Sequence, residues 1–156
     1  MSHDVPPPGG FELGTDGPSA ILVGVDDTVT ATRAGWYAAG LARRQRARLI
    51  AVYVAPVGGG TGSLAGAPVM VAAAEAHDEI AASMRARAEA ISQELGVPIE
   101  FIATRGDAYG EIKRIADETR ADAIVVGASA QAGHKLIGSL AVRLVRAGKW
   151  PVTVVP

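Results

Sequence analysis

The sequence predicts an α/β fold, a doubly wound five-stranded parallel sheet with helices on both faces. Two observations carry this. Five short aliphatic runs alternate with stretches of helical periodicity, the pattern of strand–crossover–strand units. The composition is 49% hydrophobic but only 4% aromatic. Val, Ile, Leu and Ala must therefore build the core, which suits strands covered on both faces by helices. At 156 residues the chain is about one domain long, and such a domain buries roughly two thirds of its unfolded surface.

The segment Met1 to Ser19, with Pro6-Pro7-Pro8-Gly9-Gly10 and Gly17-Pro18, has too few apolar residues for an element. It reads as a disordered N-terminal tail, residues 1–19, ahead of a single domain, residues 20–156. Ala20 to Val25 is the first strand, followed by polar Asp26-Asp27-Thr28. Thr30 or Thr32 is the expected cap of the next helix, with Trp36, Ala39 and Leu41 toward a core. The basic run from Arg43 to Arg48 suits that helix's negative end. Leu49 to Val54 is a second strand, and the glycine-rich stretch Pro56 to Pro68 a loop.

A long helix is expected from about Val69 to Leu95. Ile80, Met84, Ala88, Ile91 and Leu95 recur at helical spacing on one face, and Gly96 ends it. The third strand is Ile99 to Thr104. Gly106-Asp107-Ala108 opens a helix to about Thr119, with Ile112 and Ile115 inward. Ala123 to Val126 is the fourth strand. Ser139 is the expected cap of a helix through Ala147 that carries Leu140, Leu144 and Val145, and Gly148 breaks it. Pro151 to Val155 is the last strand.

Composition also bounds function. With no cysteine, disulfides, thiol chemistry and Cys-ligated metals are excluded. Fifteen basic against sixteen acidic residues give a net charge of -1, so nothing points to nucleic acid. Met1 to Gly14 lacks the pattern of a signal peptide, and no apolar run approaches the ~20 residues that span a bilayer. The expectation is a cytoplasmic protein with no membrane partner.

In an open parallel sheet, ligands bind beyond the carboxyl ends of strands at a topological switch point. The residues there are Asp26, Asp27 and Thr28 after the first strand, and Val54 and Ala55 after the second. Gly127, Ala128 and Ser129 follow the fourth. Gly138-Ser139 opens a helix, where free N–H groups and a hydroxyl can hold a phosphate; the same pair also suits an ordinary cap. Asp26 and Asp27 fit a plain turn equally well. His77 reads as a surface residue, and His134 and Lys135 as solvated loop residues. No Ser-His-Asp order, His-Glu-x-x-His motif or Cys cluster supports catalysis, so the chain is expected not to be an enzyme.

Val23-Gly24-Val25-Asp26, Gly106-Asp107-Ala108, the run Ala121 to Gly127, and Gly138-Ser139 ahead of Pro151 to Val155 together resemble universal stress proteins, over about Ala20 to the end. The resemblance implies the strand order 3-2-1-4-5 and a homodimer made by pairing the last, C-terminal strand. It also implies an adenine nucleotide (ATP, ADP or AMP), with Mg2+ as an accompanying ion. Asp26 and Val54 match positions lining the adenosine pocket, and Gly127, Gly138 and Ser139 match the phosphate side. Nucleotide-binding members carry Gly-x-x-Gly, nine residues, then Gly-Ser or Gly-Thr. Here Ala130 replaces the second glycine, and Gly138 follows Gly127 by eleven positions where the pattern needs thirteen. Gly133 is a further small residue in that loop, and Lys135 adds a charge.

Two other readings remain at this point. One is a dimeric stress protein without nucleotide, acting through protein contacts. The other is a phospho-acceptor receiver, which needs an acceptor Asp after its third strand and a Lys after its fifth. Asp107 is displaced past Arg105-Gly106, and no such Lys precedes Pro156.

Overall fold

The computed structural model describes residues 17–57, 66–129 and 138–156. Most of the expected tail, together with Ala130, Gly133, His134 and Lys135, lies outside them. Five strands form one sheet: β1 (Ala20–Val25), β2 (Arg48–Ala55), β3 (Ile99–Arg105), β4 (Ala123–Gly127) and β5 (Val152–Val155). Its order is β3-β2-β1-β4-β5, and every neighbouring pair is parallel. The expected fold class and strand order are thus found. Each strand lies within two residues of its expected ends, because aliphatic runs bounded by Gly, Pro and Asp leave little freedom.

Four helices alternate with the strands: α1 (Val29–Gln45), α2 (Ala67–Leu95), α3 (Ala108–Glu118) and α4 (Ser139–Ala147). They divide between two apolar clusters, one on each face of the sheet. Leu22, Ile50, Val52 and Ile124 meet Ile112, Ile115, Ala141 and Leu144 of α3 and α4. On the opposite face, Ile21, Val23 and Val125 meet Ala34, Ala38 and Ala42 of α1, with Ile91 and Leu95 of α2 at the margin. Successive strand residues point to opposite faces, so an uninterrupted run such as Ile21-Leu22-Val23 feeds both clusters.

Helices α1 and α4 correct three expectations, two at their caps and one on a packing face. Neither Thr30 nor Thr32 caps α1. Thr28 does, its Oγ1 accepting from Ala31 N at 3.1 Å, because Asp26 Oδ1 takes Thr28 N at 2.8 Å and turns the chain into the helix early. Ser139 is not the cap of α4. Gly138 holds that position in extended conformation, and Ser139 is the first helical residue with no side-chain cap. The inward face of α1 is mostly alanine, with Ala31, Ala34, Ala38, Ala39 and Ala42 buried. Ala39 and Leu41 face the core as expected, Leu41 at the margin of the cluster, and Trp36 does not. Trp36 stays 47% exposed.

The apolar face of α2 is the expected one, and Ile80, Met84, Ala88, Ile91 and Leu95 all turn inward. None of its residues is fully buried. Ser19 and Ala20 are held by Asp122, whose Oδ2 accepts from Ser19 N, Ser19 Oγ and Ala20 N at 2.8–2.9 Å. This clamp fixes the start of the central strand against β4.

Candidate functional site

The chain runs outward from β1 to β3, then returns to place β4 on the other side of β1. The switch point is therefore between β1 and β4, and their carboxyl ends diverge there. A crevice of about 310 Å³ opens at this place. Its apolar bed is Val52, Val54, Ile112 and Val126. Gly24 completes the bed: a Cβ there would meet Ile112 Cδ1 at 3.3 Å and narrow the floor.

All five residues singled out from the sequence, Asp26, Val54, Gly127, Gly138 and Ser139, line this crevice. Asp26 is exposed at the rim. Its Oδ1 is engaged by Thr28 N, and Oδ2 has no partner among the described residues. Val54 is half-buried on the wall. Sequence reasoning missed Gly24, Thr30, Ala108, Ile112 and Leu140, which also line it. Gly24 was within reach, since it shares a pleat face with Leu22. Thr30 and Ala108 needed the docking of α1 and α3.

Gly127 has a packing reason of its own. A Cβ on it would stand 2.6 Å from the Thr30 carbonyl carbon and 2.7 Å from Ala31 N, far inside contact distance. The missing side chain lets the first turn of α1 press against the end of β4. Gly138 is tight as well, with Ser129 Cβ at 3.0 Å from a hypothetical Cβ.

Three helix N-termini, those of α1, α3 and α4, border the crevice. Thr28 closes α1, and Asp107 closes α3 by accepting from Gly110 N at 2.9 Å. The start of α4 has no such closure among the described residues. Its first helical bond is Val142 N to Gly138 O at 3.1 Å, so Ser139, Leu140 and Ala141 offer N–H groups without a helical acceptor. Uncapped donors at the positive end of a helix dipole make an anion-binding feature.

On the other face of the sheet, Tyr53 is buried at the end of β2, with its hydroxyl 2.9 Å from His77 Nδ1. Burial raises the Tyr53 pKa above the usual phenol value, and Asp27 and Asp26 add to the rise while Arg105 opposes it. His77 is therefore not the surface residue expected from its helix. It is half-buried and ties α2 to β2. No group of three or more His, Cys, Asp or Glu among the described residues is placed to hold a metal ion. No helix among them is long and apolar enough to cross a membrane.

Comparison with known proteins agrees with this architecture. Among solved structures, universal stress protein UspA from Lactobacillus plantarum superposes with a TM-score of 0.71 at 25% identity, covering 88% of this chain and 97% of that one. A universal stress protein family member from Burkholderia pseudomallei gives 0.65 at 29% identity, covering 88% and 96%. The Archaeoglobus fulgidus universal stress protein in complex with dAMP gives 0.58 at 24% identity, covering 88% and 97%. No curated protein matches the chain significantly. The sequence profile of the Universal stress protein family matches residues 19–156, nearly the whole described fold, and the chain belongs to that family.

Proposed function

We propose that this chain is a stress-response regulatory module that binds an adenine nucleotide in the β1/β4 crevice and does not catalyse a reaction. The observation that carries the reading is the uncapped start of α4 facing an apolar bed across the switch point. A purine needs flat apolar walls, which Val52, Val54 and Ile112 supply. A ribose needs a hydrogen-bond acceptor at the rim, which Asp26 supplies. A phosphate needs N–H donors, which Ser139, Leu140 and Ala141 supply. A crevice of about 310 Å³ is at the small end of the ~300–1,000 Å³ typical of ligand pockets, the scale of a mononucleotide. A relative of the same fold holds dAMP.

The loop between Gly127 and Gly138 is short and carries Ala130, so AMP and ADP should bind nearly as well as ATP. Mg2+ would arrive on the phosphates, with no acidic cluster among the described residues to hold it. Titration calorimetry with AMP, ADP and ATP tests the site. Gly138→Val forces Ser129 aside and should weaken AMP at least about tenfold, or ~1.4 kcal/mol. Ser139→Ala removes one donor and should cost about 0.5–1.5 kcal/mol. If the unmodified protein takes up none of the three nucleotides, the site reading fails and a dimer acting through protein contacts replaces it.

We also propose a homodimer through β5. This strand is an edge of the sheet, half-exposed along its whole length, and an uncovered aliphatic edge invites pairing. The opposite edge, β3, carries exposed Glu100 and Arg105, which discourage it. Pro151 O and Val155 O accept from Ile124 N and Ala128 N of the β4 side. Alternation along a strand then points the Val152 and Val154 backbone groups to the free edge. Val154→Pro removes an outward donor while sparing the pairing with β4. It should shift sedimentation to a monomer with little change in the melting curve. A dimer that survives the change places its interface elsewhere.

A further inference from the structure

A second concavity lies on the other face of the sheet, between α1 and α2, and nothing in the nucleotide reading uses it. It exists because facing positions are small. Gly35 and Ala39 on α1, Ala51 on β2 and Ala88 on α2 leave a half-open void of about 70 Å³ floored by Val23. Helix α2, with no fully buried residue, does not close over it. Trp36 and Met84 stand on the two walls. Trp36 remains 47% exposed there, a large flat apolar surface left to water.

The polar groups at this groove are few and their signs differ. Asp26 stands at the strand-end of the groove and Arg87 on the α2 wall. Arg87 is ten residues beyond His77, which touches Tyr53 at the end of β2, so it lies about 15 Å back along the helix. The neighbouring Arg85 is engaged, its guanidinium 5.0 Å from the Phe101 ring centroid. Arg87 has no ion pair or hydrogen bond among the described residues, although Arg usually finds a carboxylate or phosphate when one is near.

We propose that the α1/α2 groove is a binding site for a small apolar carboxylate, its ring or branched chain between Trp36 and Met84 and its acid group on Arg87. The polarity follows from the charges, since Asp26 repels an anion from the other end. The size follows from the void, which is roughly half that of an apolar cavity of about 150 Å³ that accepts benzene. A single ring or short branched body therefore enters partly enclosed, with its head at the open side. The void, Trp36, Met84 and Arg87 lie on the opposite face of the sheet from the nucleotide crevice, and the two places meet only at the strand end, at Val25, Asp26 and Ala31.

Tryptophan emission tests this directly, because Trp36 borders the groove and the only other tryptophan, Trp150, is buried in the opposite cluster. The probes are 3-phenylpropionate and its neutral counterpart 3-phenylpropanol. Phenylpropionate should quench or shift emission saturably, and bind about tenfold more tightly than the alcohol. Ala39→Leu fills the void and should abolish saturation by both probes. Arg87→Gln, an exposed change that leaves packing intact, should retain the alcohol and equalise the two affinities. No saturable response to the acid overturns the proposal, as does an acid preference that survives Arg87→Gln. If Ala39→Leu unfolds, Gly35→Leu, which reaches the same void, serves in its place, and unchanged binding in the folded variant counts against the site.

Discussion

Gly127→Ala is expected to lower stability by about 2–3 kcal/mol, within the usual range for overpacking a tight site, and the melting temperature by roughly 5–10 °C. The added methyl would sit 2.6–2.8 Å from backbone atoms of Thr30 and Ala31. Backbone cannot swing aside as a long side chain can, so α1 must lift from β4. Gly40→Ala is the matched control. Its Cβ would meet only the end of the Arg44 side chain at 3.4 Å, and an interior helix glycine replaced by alanine gains about 0.5–1 kcal/mol. Paired melting curves without nucleotide read both effects. A Gly127→Ala protein as stable as its parent would mean that α1 is not seated as described. Since the strain arises in the empty protein, weak nucleotide binding by this variant does not by itself identify Gly127 as a ligand contact.

Leu144→Ala is expected to cost about 3 kcal/mol, as for other fully buried leucines. Leu144 is fully buried between the sheet and α3. Helix α4 has only nine residues, and Ala141 is its only other buried one, so this side chain carries most of its anchorage. Helices this short are not stable alone. The same change should therefore weaken AMP binding more than Ser139→Ala does, although Leu144 does not line the crevice. Denaturant titration gives the first quantity and calorimetry the second. A variant that loses stability yet binds AMP normally would show that the start of α4 holds its place without that anchor.

The strands, the fold class and the address of the crevice are legible in the order of residues alone. Aliphatic runs such as Ile21-Leu22-Val23 leave no alternative to burial on both faces, and Gly96 and Gly148 stop helices because they take up left-handed conformations at φ 64° and 62°. Asp26, Val54, Gly127, Gly138 and Ser139 were legible because they lie at or just beyond the carboxyl ends of strands, or open a helix, in a parallel sheet.

Caps and packing partners were decided elsewhere. Thr28, Thr30 and Thr32 are chemically equivalent capping candidates, and only the turn made by Asp26 Oδ1 on Thr28 N selects the first. The burial of His77 depends on Tyr53, 24 residues away. The exposure of Trp36 follows from how far α2 stands from α1, which no local pattern encodes. Periodicity names the face a helix turns inward; what that face meets, and whether a gap remains, depends on the volumes of side chains brought together by the whole sheet.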